Sequence, residues 1–313
     1  MKTIALLCSC LMISGCGNWS NKDLEFLNAM PTKEQLRSKL PTGTAGALAG
    51  EGTRRDALAI GERSQRYTDS KDASDKFNGI LTFLVGALDL IRSYPPTSRT
   101  DESRTWGPWA DKDNPGFEFR AVITKVDDKN FTYAFQHRPK DGEFFDTVTG
   151  SFKASESLRK GSGALIIHAA DAVAHQLKTA KALELLEKIE VSYVTDMFPV
   201  TVVMKFTVKP GQVLQSLDYG YQENEDKSGG MSFTSKSTDP NISRLDVGTA
   251  WLASGAGFGV LTVTEGAMGY KGATQFECWD AAFNTTYVKQ TWPPFLELGD
   301  SKSCVSVDNF PRP

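Results

Sequence analysis

From Phe117 onward the chain alternates apolar and polar residues with a period of two, and this limits the possible folds more than any other feature. Phe198, Val200, Val202, Met204, Phe206 and Val208 fall on one face of an extended segment, with Thr201, Lys205 and Thr207 on the other. Successive side chains leave opposite faces of a pleated strand, so this pattern marks strands with one buried face. Shorter stretches of strand character occur at 117–121, 131–135, 144–152, 163–167 and 190–195, and again at 214–222, 231–237, 242–252, 257–265 and 267–279. Turn signals separate them: Asp127-Asp128-Lys129-Asn130, Lys140-Asp141-Gly142, Lys209-Pro210-Gly211 and Ser228-Gly229-Gly230. About ten strands joined by short turns form an antiparallel meander, whose edges must be curled, closed or covered.

Ahead of the strands, Phe77, Ile80, Leu81, Leu84, Leu88 and Ile91 recur at helical spacing, with Asp69 or Asp75 as cap and Pro95-Pro96 as stop. Phe83, Val85 and Leu90 widen the apolar surface, so the spacing predicts a long apolar helix over 69–96 that needs a large partner. The expected fold is mainly β with helices (α+β): a large curved antiparallel sheet or open β-barrel with that helix packed on or in it. A membrane-spanning barrel fits less well. The faces opposite the aromatics carry Glu118, Arg120, Gln136, Arg138, Lys205 and Asp218, where a lipid-facing band would be apolar.

The N-terminus reads as an address. Lys2 is followed by an apolar run from Ile4 to Ile13, too short to cross a bilayer and typical of a secretory signal. Ile13-Ser14-Gly15-Cys16 resembles the bacterial lipobox. That resemblance implies cleavage before Cys16 and acylation, palmitate included, of its thiol and new amine. Two or more acyl chains give durable anchoring where one does not. Gly17 after the anchor, rather than Asp, favours the outer membrane, on its periplasmic or its outer face. The expected organisation is a signal peptide at 1–15, a tether with short helical pieces at 16–68, the helix at 69–96, and a β domain at 97–313 with one inserted helix at about 171–188. In the tether, Thr32 and Gln35 sit at capping-box positions, and segment 41–53 is a Gly/Thr/Ala-rich connector.

Cys8 and Cys10 leave with the signal and Cys16 takes lipid, so Cys278 and Cys304 remain. Two cysteines in an exported chain suggest one disulfide, worth about 3.5 kcal/mol in the chain-entropy picture. A net charge of −3 and the lack of any basic run exclude a nucleic-acid partner.

Candidate chemistry is sparse. His168, Asp171 and His175 would share a face of a continuous helix and could hold a divalent metal. Segment 164–167 reads as strand, however, which favours Asp171 as a helix cap and both histidines at the surface. "DKDNPG" (111–116) opens like a calcium loop, but Val122 stands where a bidentate Glu is required. "GAGFG" (255–259) lacks dinucleotide spacing and fits a bulge or a bent strand. No catalytic set and no cofactor is expected. The aromatics Phe131, Tyr133, Phe135, Tyr219, Tyr221 and Phe233 occupy alternating positions and could enclose an apolar small molecule or lipid, or simply form core.

Several pieces together resemble uncharacterised lipoproteins of myxobacteria and related Gram-negative bacteria: the lipobox, the helix closing in Pro95-Pro96, "TWGPW" (105–109), "GSGALIIHAADA" (161–172), Trp251 with Gly255-Ala256-Gly257, and "ECWDAAF" (277–283) with Tyr287 and Cys304. The resemblance implies an envelope location and this architecture, and it brings no activity. The expectation is a non-enzymatic, lipid-anchored envelope protein that binds or carries an apolar ligand. The alternative is a structural or protein-interaction lipoprotein with a filled core.

Overall fold

Among the described residues the alternation becomes one sheet of fifteen antiparallel strands in strict chain order. The computed structural model describes residues 19–42, 59–156, 160–267 and 269–307, with the side chains of 82–90 outside that description. The signal segment, Cys8, Cys10 and Cys16, most of the 41–53 connector, and the side chains of Phe83, Leu84, Val85, Leu88 and Leu90 therefore lie outside the described residues.

The first strands are β1 (Ser98–Arg99), β2 (Ser103–Ala110), β3 (Phe117–Lys125), β4 (Asn130–Pro139) and β5 (Phe145–Ala154). Next come β6 (Gly161–Ile167), β7 (Leu186–Val194), β8 (Val200–Val208), β9 (Leu214–Glu223) and β10 (Gly229–Ser237). The last are β11 (Arg244–Trp251), β12 (Gly257–Glu265), β13 (Thr274–Trp279), β14 (Thr285–Gln290) and β15 (Leu296–Gly299). Turns after β1, β3, β5, β7, β9, β11 and β13 share one end of the sheet, called here the first end. The remaining turns share the opposite end.

One face of this sheet is covered by the N-terminal part of the chain, in helices α1 (Asn21–Asn28), α2 (Lys33–Leu36) and α3 (Gln65–Arg92). Ser20 and Asp23 form a capping box on α1, and Thr32 and Gln35 form the expected one on α2. Phe26, Ala29, Met30 and Leu36 are buried with the sheet aromatics in a single core. The described residues 19–42, expected to be tether with short helical pieces, thus pack against the sheet. Asp23 locks α1 in place: its carboxylate, shut off from solvent, accepts from Arg104 Nε at 2.6 Å and from Arg99 Nε at 3.2 Å. Burial alone would raise the Asp23 pKa, but bonds from the Ser20 backbone, Arg104, the Ser20 hydroxyl and Arg99 outweigh it and leave the group lowered.

The helix expectation needs correction: among the described residues the long helix is not an apolar one. The element there starts at Gln65, and its first half, "QRYTDSKDASDK", is polar. Among the described residues no helix is long and apolar enough to cross a membrane. The buried side includes Ser70 and Ser74, which bond Thr249 and Ser38 at 2.7 Å each, so part of the docking is by hydrogen bonds rather than an apolar stripe. The start is capped by Ser64 and by a sheet residue, not by Asp69 or Asp75. Strand number is corrected as well, from about ten to fifteen. A flat sheet would separate β2 from β13 by about 53 Å. Helix α3, about 42 Å long, meets β13 at its start, and just beyond its end Tyr94 O accepts from Trp106 Nε1 of β2. The sheet must curl over the helix to allow both contacts.

The inserted segment expected at 171–188 is two short pieces, α4 (Ala169–Ala174) and a 3-10 turn at Lys178–Leu183, broken where Gln176 takes φ +61°. On the outer face, Cys304 is joined to Cys278 as expected. Cys304 and Val307 cover Ala250, Phe258 and Tyr287, forming a small second core.

Candidate functional site

The aromatics singled out as a possible ligand wall all line the covered face. Five are buried, and Phe233 packs against the same core partly buried. Phe131 meets the ring of Phe26 edge-on at 5.8 Å, and Tyr219 stacks on Phe77 at 3.9 Å. Tyr133 lies across Gly150, where a Cβ would come within 2.2 Å of its ring, and its hydroxyl donates to Ala164 O. Tyr221 donates to Glu223 Oε2 at 3.0 Å. Burial pushes the hydroxyls of Tyr133, Tyr193, Tyr219 and Tyr221 well up, so these rings stay neutral. Side chains of α1 and α3 therefore pack directly on two of these rings, Phe131 and Tyr219.

The histidine set does not assemble. His168, rather than Asp171, takes the N-cap position of α4 just after β6, with Nε2 2.9 Å from Thr149 Oγ1 and Nδ1 3.9 Å from Asp171 Oδ2. His175 turns away and stacks on Phe145 at 3.7 Å. Among the described residues no group of three His, Cys, Asp or Glu is placed to hold a metal.

His137 makes the closer constellation, which the sequence reading did not single out. Its Nε2 lies 3.3 Å from Asp111 Oδ2 and its Nδ1 lies 3.0 Å from Thr147 Oγ1. The order Thr–His–Asp resembles a hydrolase relay. Thr147 is buried, however, and its hydroxyl donates to Phe135 O at 3.0 Å, which leaves it accepting from the imidazole. A hydroxyl held that way is not poised as a nucleophile. Burial lowers the His137 pKa and nearby Asp111 only partly restores it. The ring is one rung in a row of aromatics running Tyr94, Trp109, Phe119, His137, Phe145 and His175.

A different set links helix and sheet. The carboxylate of Glu277, fully buried on β13, accepts from the backbone N–H of Gln65 at 3.1 Å and of Arg66 at 2.9 Å, and from Thr285 Oγ1 at 2.5 Å. It caps α3 from across the sheet, where the helix dipole and the unpaired amides favour a negative group. Gly259 leaves room for this approach: a Cβ there would lie 2.8 Å from Arg66 Cβ. Next door, Tyr67 stacks on Phe283 at 4.1 Å and meets Trp279 edge-on, while Gly257 leaves room for the Trp279 ring. Strand pairing through 257–259 is regular, which excludes the bulge, one of the two readings offered, and these glycines give clearance. The one sequence signal for this socket was a charged residue at an inward position in "FECW".

On the outer face, Thr132, Ser151, Ala164, Ser192 and Val203 pair side by side across β4 to β8. Thr132, Ser151 and Ser192 of this row line an open depression of about 440 Å³, with Val126, Lys153, Ser162 and Thr201 also on its walls. Exposed apolar residues sit at both ends of the sheet. The first end carries Val126, Met197 and Phe198, together with Leu24 of α1. The opposite end carries Leu185, Val213, Ile242, Tyr270 and Phe295. At the opposite end neighbouring tips are bonded to one another, Thr238 N to Val213 O and Ala267 N to Asn241 O.

The chain matches no protein family, no curated protein and no solved structure. Several of its buried polar groups, Asp23, Ser70 and Glu277 among them, fix helices to sheet, and its accessible features are shallow, hydroxyl-lined or apolar.

Proposed function

We propose that the chain is a lipid-anchored, non-enzymatic protein of the cell envelope that acts through its outer surface, its core being filled. The observation that supports this reading is the packing of Phe26 and Phe77 of the helices on Phe131 and Tyr219 of the sheet. A carrier of apolar molecules keeps a pocket of several hundred Å³ at such a place. The lipobox at Cys16 supports the anchor and, with Gly17 behind it, the outer membrane. The Cys278–Cys304 bridge supports an oxidising compartment.

Purification from membranes, organic extraction and mass spectrometry test the reading in one experiment. The expected result is an acylated residue 16 and no stoichiometric apolar molecule in the extract. A co-purifying lipid at about one per chain overturns surface action in favour of carriage. A Cys16→Ser chain that stays with the membrane fraction overturns the anchor.

A further inference from the structure

We propose that the first end of the sheet lies against a zwitterionic phospholipid bilayer, with Leu24, Val126, Met197 and Phe198 entering the boundary between headgroups and acyl chains. The inference rests on Cys16 being the acylated residue. Trp19 packs on the main core, so only three steps of chain separate the lipid from the folded body. Three residues span at most about 10 Å. The acyl chains therefore emerge beside whatever surface surrounds Trp19.

That surface is the first end. Helix α1 is pinned there by three contacts: Asp23 to Arg104 and Arg99 beside the β1–β2 turn, Glu25 to Lys125 at 2.7 Å beside the β3–β4 turn, and Phe26 to Phe131 at the start of β4. The β3–β4 turn presents Val126, 64% exposed, and the β7–β8 turn presents Met197, 63% exposed, with Phe198 next to it. Exposed aliphatic and aromatic tips beside a lipid attachment match the way peripheral proteins seat themselves in an interface. Turns at this end also carry Asp127, Asp128, Glu225 and Asp226 against Lys129 and Lys227. An acidic rim is repelled by anionic headgroups, which makes a zwitterionic surface the fitting occupant. Strands of nine residues carry the opposite end about 30 Å away from the bilayer.

The mature chain offers a clean probe. With Cys16 acylated and Cys278 bridged to Cys304, a Phe198→Cys or Val126→Cys substitution supplies its only free thiol. Each acylated variant is labelled with an environment-sensitive fluorophore and placed on phosphatidylcholine vesicles brominated in the acyl chains, with Phe295→Cys as the opposite-end control. The expected result is a blue shift and about twofold quenching at 126 and 198, with neither at 295. Quenching at 295 equal to or above that at 198 overturns the orientation. So does an acylated chain whose probes at 126 and 198 stay unquenched. Intact mass separates the two readings: an unacylated residue 16 overturns the anchor and this orientation together.

Discussion

Replacing Glu277 tests the account of how the helical layer is held. The carboxylate is inaccessible to solvent and receives three hydrogen bonds, two of them from first-turn amides of α3. Glu277→Ala strands both amides and the Thr285 hydroxyl away from water. Each orphaned buried donor costs about 1–3 kcal/mol. Thr285 can rotate to another acceptor, so the expected loss is about 3–5 kcal/mol. Glu277→Gln keeps one accepting oxygen but turns an amide NH₂ toward a backbone donor, and about 2 kcal/mol is expected.

Urea unfolding reads both. With a slope of about 3 kcal/mol per M, the alanine variant shifts the midpoint down by roughly 1–1.7 M, and the glutamine variant by about 0.7 M. Trp279 fluorescence reports the site directly, because its ring meets Tyr67 of α3 at 5.9 Å. Glu190→Ala is the control. Glu190 is on the outer face, where a surface ion pair with Lys188 at 3.2 Å is worth under about 1 kcal/mol. A Glu277→Ala chain within about 1 kcal/mol of the parent refutes the capping argument, and so does an alanine variant no weaker than the glutamine one.

Two other predictions follow from burial and pairing. Cys304→Ser frees the segment that covers Ala250, Phe258 and Tyr287. A loss of about 2–4 kcal/mol and proteolytic nicking beyond Gly299 are expected with the strand signal in circular dichroism unchanged; unchanged protease resistance counts against a structural strap. For His137, burial lowers the folded-state pKa below the unfolded value of about 6.5 despite Asp111. As pH falls through that unfolded value, the unfolded chain takes the proton first. Stability should be full above it and decline down to the folded pKa, and His137→Gln should flatten this limb. An equal slope in parent and variant contradicts it.

The legible part of the fold was the part with one dry face and one wet one. Alternation over 198–208 located β8, and short turn signals located its neighbours. The strands overlooked break that pattern for identifiable reasons. In β2 the Gly107-Pro108 step shifts the pairing with β3. In β14 both faces are covered, so Tyr287 and Val288 are both buried and the period disappears. The edge strand β15 has only four residues, most of them exposed. The helix was located but misjudged, because its docking uses Ser70, Ser74 and an acid 211 positions away from Arg66. Hydrogen bonds at that separation leave no periodic trace. Cysteine counting, by contrast, needs no periodicity, and it identified the Cys278–Cys304 pair. The His168, Asp171 and His175 set was misleading only if helical spacing was extended through a strand end.

Two buried carboxylates hold the helical layer at opposite parts of the sheet, and their positions argue against a carrier cycle. Asp23 fixes α1 to β2 through Arg104, and Glu277 fixes the start of α3 to β13. Between these points Phe77 is stacked on Tyr219. To admit an apolar molecule against those aromatics, the layer must lift at one end or slide. Lifting at α1 leaves Arg104, itself 3% exposed, facing a carboxylate that has gone. Lifting at α3 strands Glu277 without its amides. Breaking a buried charged pair by removing one partner costs about 3–5 kcal/mol, a large share of a domain's total stability. Sliding fares no better, because Gly259 gives clearance to Arg66 at a single position. Exchange of an interior ligand would therefore need an opening comparable in cost to unfolding much of the domain. A surface that works without moving the helices has no such barrier.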